Sequence, residues 1–213
     1  SFCRSVLAGT ICFSLIAISL TDAVAGDWPS FRGPVGLGVT SDTGFPTSWS
    51  EDENVRWKIE LPNRGNESPV VASGLVFATS ATDDGSERRL HCFDRADGSE
   101  KWTRKVSFEA GEKTHQTNPF GAATPAVGGN QVVVWHGSAG LFCYDLAGEQ
   151  QWSTQPGAVT HIWGYGSSPV IHAGKVLLNF GPGVAQAVIA YDLETGKELW
   201  SHKEAGGTDD RGG

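Results

Sequence analysis

Short apolar runs rich in Val, Ile, Leu and Ala recur between residues 68 and 203, separated by Gly, Pro, Asp and Asn. Runs of that length bounded by turn residues read as β-strands, and nearly continuous ones read as strands covered on both faces. They fall into three groups of four. The first spans 68–72, 75–80, 89–93 and 100–106; the second 124–127, 131–136, 141–144 and 151–153; the third 168–171, 175–180, 187–191 and 199–203. Each group opens on Ser-Pro or Thr-Pro. Proline is tolerated there because the first residue of a strand need not donate to the ladder. The pattern predicts an all-β chain of four-stranded antiparallel units.

The third and fourth strands of each unit are joined by a recurring sequence. Residues 190–200 read Ala-Tyr-Asp-Leu-Glu-Thr-Gly-Lys-Glu-Leu-Trp. Asp192 is placed to accept hydrogen bonds from backbone amides in the turn, and Gly196 to supply a positive φ. Trp200 returns on the next strand, large enough to cover a neighbouring sheet. Residues 92–102 align with this stretch without a gap, giving Asp94, Gly98 and Trp102; residues 143–152 align with one turn residue missing, giving Asp145, Gly148 and Trp152. The three Asp are 51 and 47 residues apart, and the three Trp 50 and 48. A fixed period of this length signals a stacked or radial array.

Ala-x-Asp-x-x-Thr-Gly-x-x-x-Trp resembles the tryptophan-docking repeat of the pyrroloquinoline quinone (PQQ) type β-propellers. The copy at 190–200 matches every fixed position, while the first copy has Cys92 for Ala and Asp97 for Thr. The resemblance implies a β-propeller, here about three blades. Residues 54–62 read as one further outer strand whose Trp57 imitates the repeated Trp. In propellers an N-terminal strand of this kind completes the last blade. The PQQ type commonly closes with seven or eight blades, so the sequence reads as part of a longer ring. Residues 26–53 form an irregular lead-in, opening on Trp-Pro-Ser-Phe-Arg-Gly as exported members do, with Trp28 and Phe31 expected to plug into the side of the domain. The propeller itself is assigned to 54–213.

Residues 1–25 stand apart. Arg4 precedes an apolar run from Val6 to Leu20, and Ala23-Val24-Ala25 precedes Gly26. A charged start, a short apolar middle and an A-x-A end describe a secretory signal peptide cleaved after Ala25; retention as a membrane anchor is the alternative. The expectation is a periplasmic or secreted protein. A formal net charge of −8 argues against a non-specific nucleic-acid binder and against adhesion to an anionic membrane. Cys3 and Cys12 leave with the signal. Cys92 and Cys143 sit at equivalent positions of different units, where side chains point the same way and sheets lie ~10 Å apart. They read as small buried hydrophobes and not as a disulfide.

Three loops precede the inner strands, and in propellers such loops gather on one face around the central channel. They carry Arg64, Asn66 and Glu67, then His115 and Asn118, then His161, Trp163 and Tyr165. These residues form a candidate binding face for a protein or saccharide partner; the alternative is that they cap turns and satisfy loop backbone. His91, His136, His172 and His202 fall in or beside strands without zinc-ligand spacing, so no metal site is assigned. No Gly-x-Ser-x-Gly elbow or Walker-type loop occurs. PQQ-dependent alcohol dehydrogenases resemble the chain in the docking repeat. The adjacent Cys pair of some members is absent, and no acidic and amide cluster matches their calcium site. The docking Trp residues read as packing groups and no residue is assigned as catalytic. The sequence therefore predicts an exported propeller acting as a binding scaffold without PQQ or calcium; the alternative is a PQQ-dependent alcohol or sugar dehydrogenase whose catalytic residues lie in other blades.

Overall fold

A computed structural model describes residues 26–181 and 186–203. Twelve strands form three four-stranded antiparallel sheets, each in simple sequential order. The first blade comprises β1 (Val70–Ala72), β2 (Leu75–Ala81), β3 (Glu87–Asp94) and β4 (Glu100–Ser107). The second comprises β5 (Ala126–Gly128), β6 (Gln131–Trp135), β7 (Leu141–Asp145) and β8 (Gln150–Thr154). The third comprises β9 (Val170–His172), β10 (Lys175–Phe180), β11 (Ala187–Asp192) and β12 (Glu198–Lys203). The short inner strands neighbour one another, β1 beside β5 and β5 beside β9. This is the β-propeller arrangement that the repeat predicts. The signal-peptide assignment for 1–25 and the part of the propeller assignment beyond residue 203 lie outside the described residues.

Strand alternation explains the unbroken apolar runs. On β6, Val132 and Val134 pack with Phe77, Leu90, Cys92 and Trp102 of the first blade. Their neighbours Val133 and Trp135 pack with Val176, Leu178, Ile189 and Tyr191 of the third. Successive side chains leave a strand on opposite faces, so a sheet covered on both sides needs apolar residues at every position. Cys92 and Cys143 fall in these two different cores as free, buried thiols, and burial pushes both up to about 12. Among the described residues one face of the third blade is covered, and Val170, Val188, Leu199 and Trp200 of that blade are exposed.

One docking geometry joins the blades at their outer ends. The Trp57 indole Nε1 donates to the Arg95 carbonyl, Trp102 to Leu146 and Trp152 to Leu193, at 2.9, 3.0 and 2.8 Å. Each acceptor directly follows the turn Asp of the next unit. Each ring also covers the turn glycine, Gly98, Gly148 or Gly196, at φ of 75°, 89° and 68°. A Cβ on these glycines would stand 2.7, 2.8 and 2.5 Å from the indole, so both the backbone conformation and the ring require glycine. Asp192 Oδ1 accepts from the Thr195 amide and hydroxyl, Asp94 Oδ1 from the Ala96 amide and Asp145 Oδ1 from the Glu149 amide. A second repeat runs along the inner strands. The Ser68 amide donates to the Thr124 hydroxyl, and the Thr124 amide to the Ser168 hydroxyl, both at 3.0 Å. The Ser or Thr before each proline thus links adjoining blades.

Two local expectations change. Residues 54–62 dock through Trp57 but form no ladder, because no neighbouring strand among the described residues meets their backbone. Of the two aromatic plugs, Trp28 lies on the inner edge of the first blade and not on the side of the domain. It exchanges backbone hydrogen bonds with Val71, at 2.7 and 3.0 Å, on the edge of β1 away from β2. The Pro29 carbonyl then accepts from Val127 of β5 at 2.7 Å. This strap covers polar edges that would otherwise stand open. Positive φ at Arg32 and Gly33 turns the chain outward and leaves Phe31 52% exposed.

Candidate functional site

Sequential antiparallel order puts the connections of each blade at two ends. The β3–β4, β7–β8 and β11–β12 turns that receive Trp lie at one end with the inner hairpin turns. The other end gathers the loops before β1, β5 and β9 and those between β2 and β3, β6 and β7, and β10 and β11. All eight candidate binding residues belong to the loops at this second end.

Hydrogen bonds across loops knit this face together. Asn66 Nδ2 donates to the Thr117 carbonyl at 2.8 Å, and the Asn66 amide to the Gly121 carbonyl at 2.9 Å. Asn118 Nδ2 donates to the carbonyls of Trp163 and Tyr165, at 2.8 and 2.9 Å. The half-buried His115 ring lies 4.6 Å from the Trp163 ring, tilted at 45°, and its Nδ1 meets the Thr117 hydroxyl at 2.8 Å. Trp163 remains 49% exposed and the Arg64 side chain 62% exposed, with the Arg64 guanidinium 3.5 Å from the Gln116 carbonyl. Arg64, Asn66, His115, Asn118 and Trp163 therefore form one continuous surface.

Glu67, His161 and Tyr165 sit beneath that surface. Glu67 Oε1 accepts from the Thr79 amide at 3.0 Å, where β2 has run past the end of β1 and lacks a ladder partner. Burial raises the pKa of this carboxyl against the hydrogen bonds from Thr79. Two residues on, the Ala81 amide donates to the Arg64 carbonyl in the same substituting role. Tyr165 is buried, its hydroxyl donating to the Phe120 carbonyl and its ring 4.9 Å from that of Trp135. Burial lifts the Tyr165 phenol far above its ordinary value. His161 is buried with Nε2 unpartnered, and its Nδ1 accepts from the Trp163 amide at 3.4 Å.

Below the loops lies a buried charge pair that the sequence reading did not single out. Arg88 of β3 has no solvent exposure. Its Nη2 donates to Glu112 Oε2 at 3.1 Å, its Nε to the Gly85 carbonyl at 3.3 Å, and its Nη1 to the His136 carbonyl. The guanidinium also lies over the rings of Phe108, Phe120 and Tyr165, at 5.0, 4.8 and 5.7 Å. Glu112 Oε2 accepts from the Ser138 amide at 2.9 Å. The pair thus ties β3, the β4–β5 loop and the β6–β7 loop together. His136 beside it is pushed down to about 3, first by burial and then by the Arg88 charge. A signal for Arg88 was present: period two places residues 88, 90 and 92 on one face, and Leu90 and Cys92 face the core. Nothing comparable marks Glu112. On the opposite face of the blade, the buried His91 ring bridges the hydroxyls of Ser80 and Thr103, both at 2.9 Å. Among the described residues, no group of three or more His, Cys, Asp or Glu is placed to hold a metal ion.

No curated protein matches the sequence. Several solved structures are similar to it. A quinohemoprotein alcohol dehydrogenase from Pseudomonas putida HK5 superposes with a TM-score of 0.50 at 22% identity, over 69% of this chain and 22% of that one. BamB from Moraxella catarrhalis gives 0.48 at 21%, over 71% and 43%, and a europium-containing methanol dehydrogenase 0.48 at 19%, over 66% and 25%. The first of these likenesses speaks to fold alone. The chain spans 22–43% of the length of these structures. The family model described as outer membrane protein assembly factor BamB matches residues 35–110 and 51–210. With that match covering most of the sequence, and with Trp57, Trp102 and Trp152 each docked on the next repeat, the chain belongs to this family of PQQ-type β-propellers.

Proposed function

We propose that the protein is an exported binding scaffold whose partner is another protein, held by the loop face around Trp163. The observation that carries this reading is the platform itself. Asn66 and Asn118 use their amide donors to fix three loops against one another, and the surface they fix presents an exposed Trp, a His ring tilted against it and an exposed Arg. Trp and Arg are the residues most often found to dominate protein interfaces, and a prefixed surface loses little entropy on binding. The family description, an outer-membrane protein assembly factor, favours a protein over a saccharide and an extracytoplasmic site of action.

The quinoprotein alternative has less support in these residues. Glu67 Oε1 accepts from the Thr79 amide, and the Asn66 and Asn118 amide nitrogens donate to loop carbonyls, so these groups already serve the loop framework. The test uses the full-length protein in the cells that export it. Partners are crosslinked and identified for the native protein and for Trp163→Ala and Arg64→Glu. The reading requires one protein adduct that both variants lose while keeping native melting. Saturable PQQ binding with calcium and dye-linked oxidation of alcohols or aldoses would establish the alternative.

A further inference from the structure

The strap along the inner strands begins one residue after the expected processing site. Asp27 Oδ2 accepts from the Ser73 amide at 3.0 Å, and Asp27 Oδ1 lies 3.9 Å from Arg95 Nη1. Trp28 pairs with Val71, and Pro29 with Val127. Immediately before them, the Gly26 backbone nitrogen donates to Asp42 Oδ2 at 2.7 Å. Asp42 comes from the same lead-in, 16 residues on, and its own amide donates to the Thr40 hydroxyl at 3.0 Å. A carboxylate thus faces the one nitrogen that cleavage after Ala25 would turn into a chain terminus.

We propose that hydrolysis of the Ala25–Gly26 bond converts this hydrogen bond into an ion pair between the Gly26 α-ammonium and Asp42, which fastens the strap across the inner edges of the first two blades. The inference rests on the export reading and is independent of the binding-face reading. An extracytoplasmic endopeptidase adds water to the Ala25 carbonyl carbon, and the bond to the Gly26 nitrogen breaks. Ala25 leaves as a carboxylate, and the freed amine takes up a proton. An α-amine titrates near ~7.7–8.0, and an adjacent carboxylate favours its charged form. Charge-assisted hydrogen bonds are shorter and stronger than neutral ones. The N–H donor therefore exists before cleavage, and its charge only afterwards. Strap docking is completed by export, when the edges of β1 and β5 must be closed against other strands.

The test begins with the mass of the exported full-length protein, whose first residue should be Gly26. Hydrogen exchange is then followed at the Val71 and Val127 amides, which donate to the strap. The free-amine protein is compared with the same protein acetylated selectively at Gly26, each as native, Asp42→Asn and Asp42→Glu. Acetylation removes the charge and keeps an N–H. It should speed exchange at both amides about threefold in the native protein and in Asp42→Glu, and leave Asp42→Asn unchanged, with the difference shrinking in high salt. Equal exchange with and without the acetyl group in the native protein overturns the ion pair. An acetylation effect of the same size in Asp42→Asn overturns Asp42 as its partner. A mature chain that starts at any other residue overturns the processing step itself.

Discussion

The two ends of the blades are built by opposite rules. At the turn end, three indoles make one hydrogen bond to one kind of carbonyl over one kind of glycine, from blade to blade. At the loop end the link through the Ser or Thr before each proline repeats, and the other contacts do not. Glu67 substitutes for a missing strand, Arg88 of β3 and Glu112 of the β4–β5 loop form a buried pair, and Trp163 faces solvent on a His115 ring. The turn end must satisfy every blade interface in the same way, so its residues recur. The loop end is free of that constraint, and its differences between blades are what can give the molecule a specific surface.

The sharpest way to break this comparison is at the charge pair. Arg88→Ala leaves the Glu112 carboxylate buried beside an empty guanidinium site and removes contacts to three aromatic rings. It is expected to cost about 5 kcal/mol, the upper part of the range for unpartnered buried charges. Chemical denaturation of the full-length protein measures it, and a loss below 1 kcal/mol would show that water reaches the site. Trp152→Ala comes next, at about 3–4 kcal/mol, since the indole lies between two blades and its hydrogen bond to Leu193 is lost with it. Its effect should resemble that of Trp102→Ala, because the two sites are copies of one geometry.

A further effect is expected from pH. His136 is held neutral in the folded protein, down to about 3, whereas the unfolded chain takes up that proton near ~6.5. Between those values the unfolded state binds more protons, so stability falls as pH drops from ~6.5 towards ~3. His136→Gln should flatten that part of the stability curve; an unchanged slope would assign the loss to other groups. The smallest effect belongs to Trp163→Ala. An exposed ring on a loop should change stability by no more than about 0.5 kcal/mol, while the partner adduct disappears.

The same contrast explains what could be read from the sequence. Strand order, blade count and family followed from Asp, Gly and Trp recurring at one period, because each copy repeats the same local chemistry. The loop surface was readable only as a set of polar and aromatic residues. Whether a given amide such as Asn118 faces a ligand or two carbonyls depends on loop paths that no local pattern encodes. Tyr165 and Trp163 are two residues apart in one loop, yet one is core and the other surface. Glu112 reaches Arg88 from 24 residues away, with neither a motif nor a period to announce it. The strap was visible as a Trp-Pro lead-in, but its route depends on the open edges of β1 and β5, which exist only once the blades are formed.

The division of labour between the two ends is tested most directly by photocrosslinking in the exporting cells, with a photoreactive residue at position 163 or at position 194. Glu194 is an exposed residue of the β11–β12 turn, at the opposite end of the blade. The account predicts a discrete protein adduct from position 163 and none from position 194. An adduct from 194, with nothing at 163, would place recognition at the repeated end and contradict it.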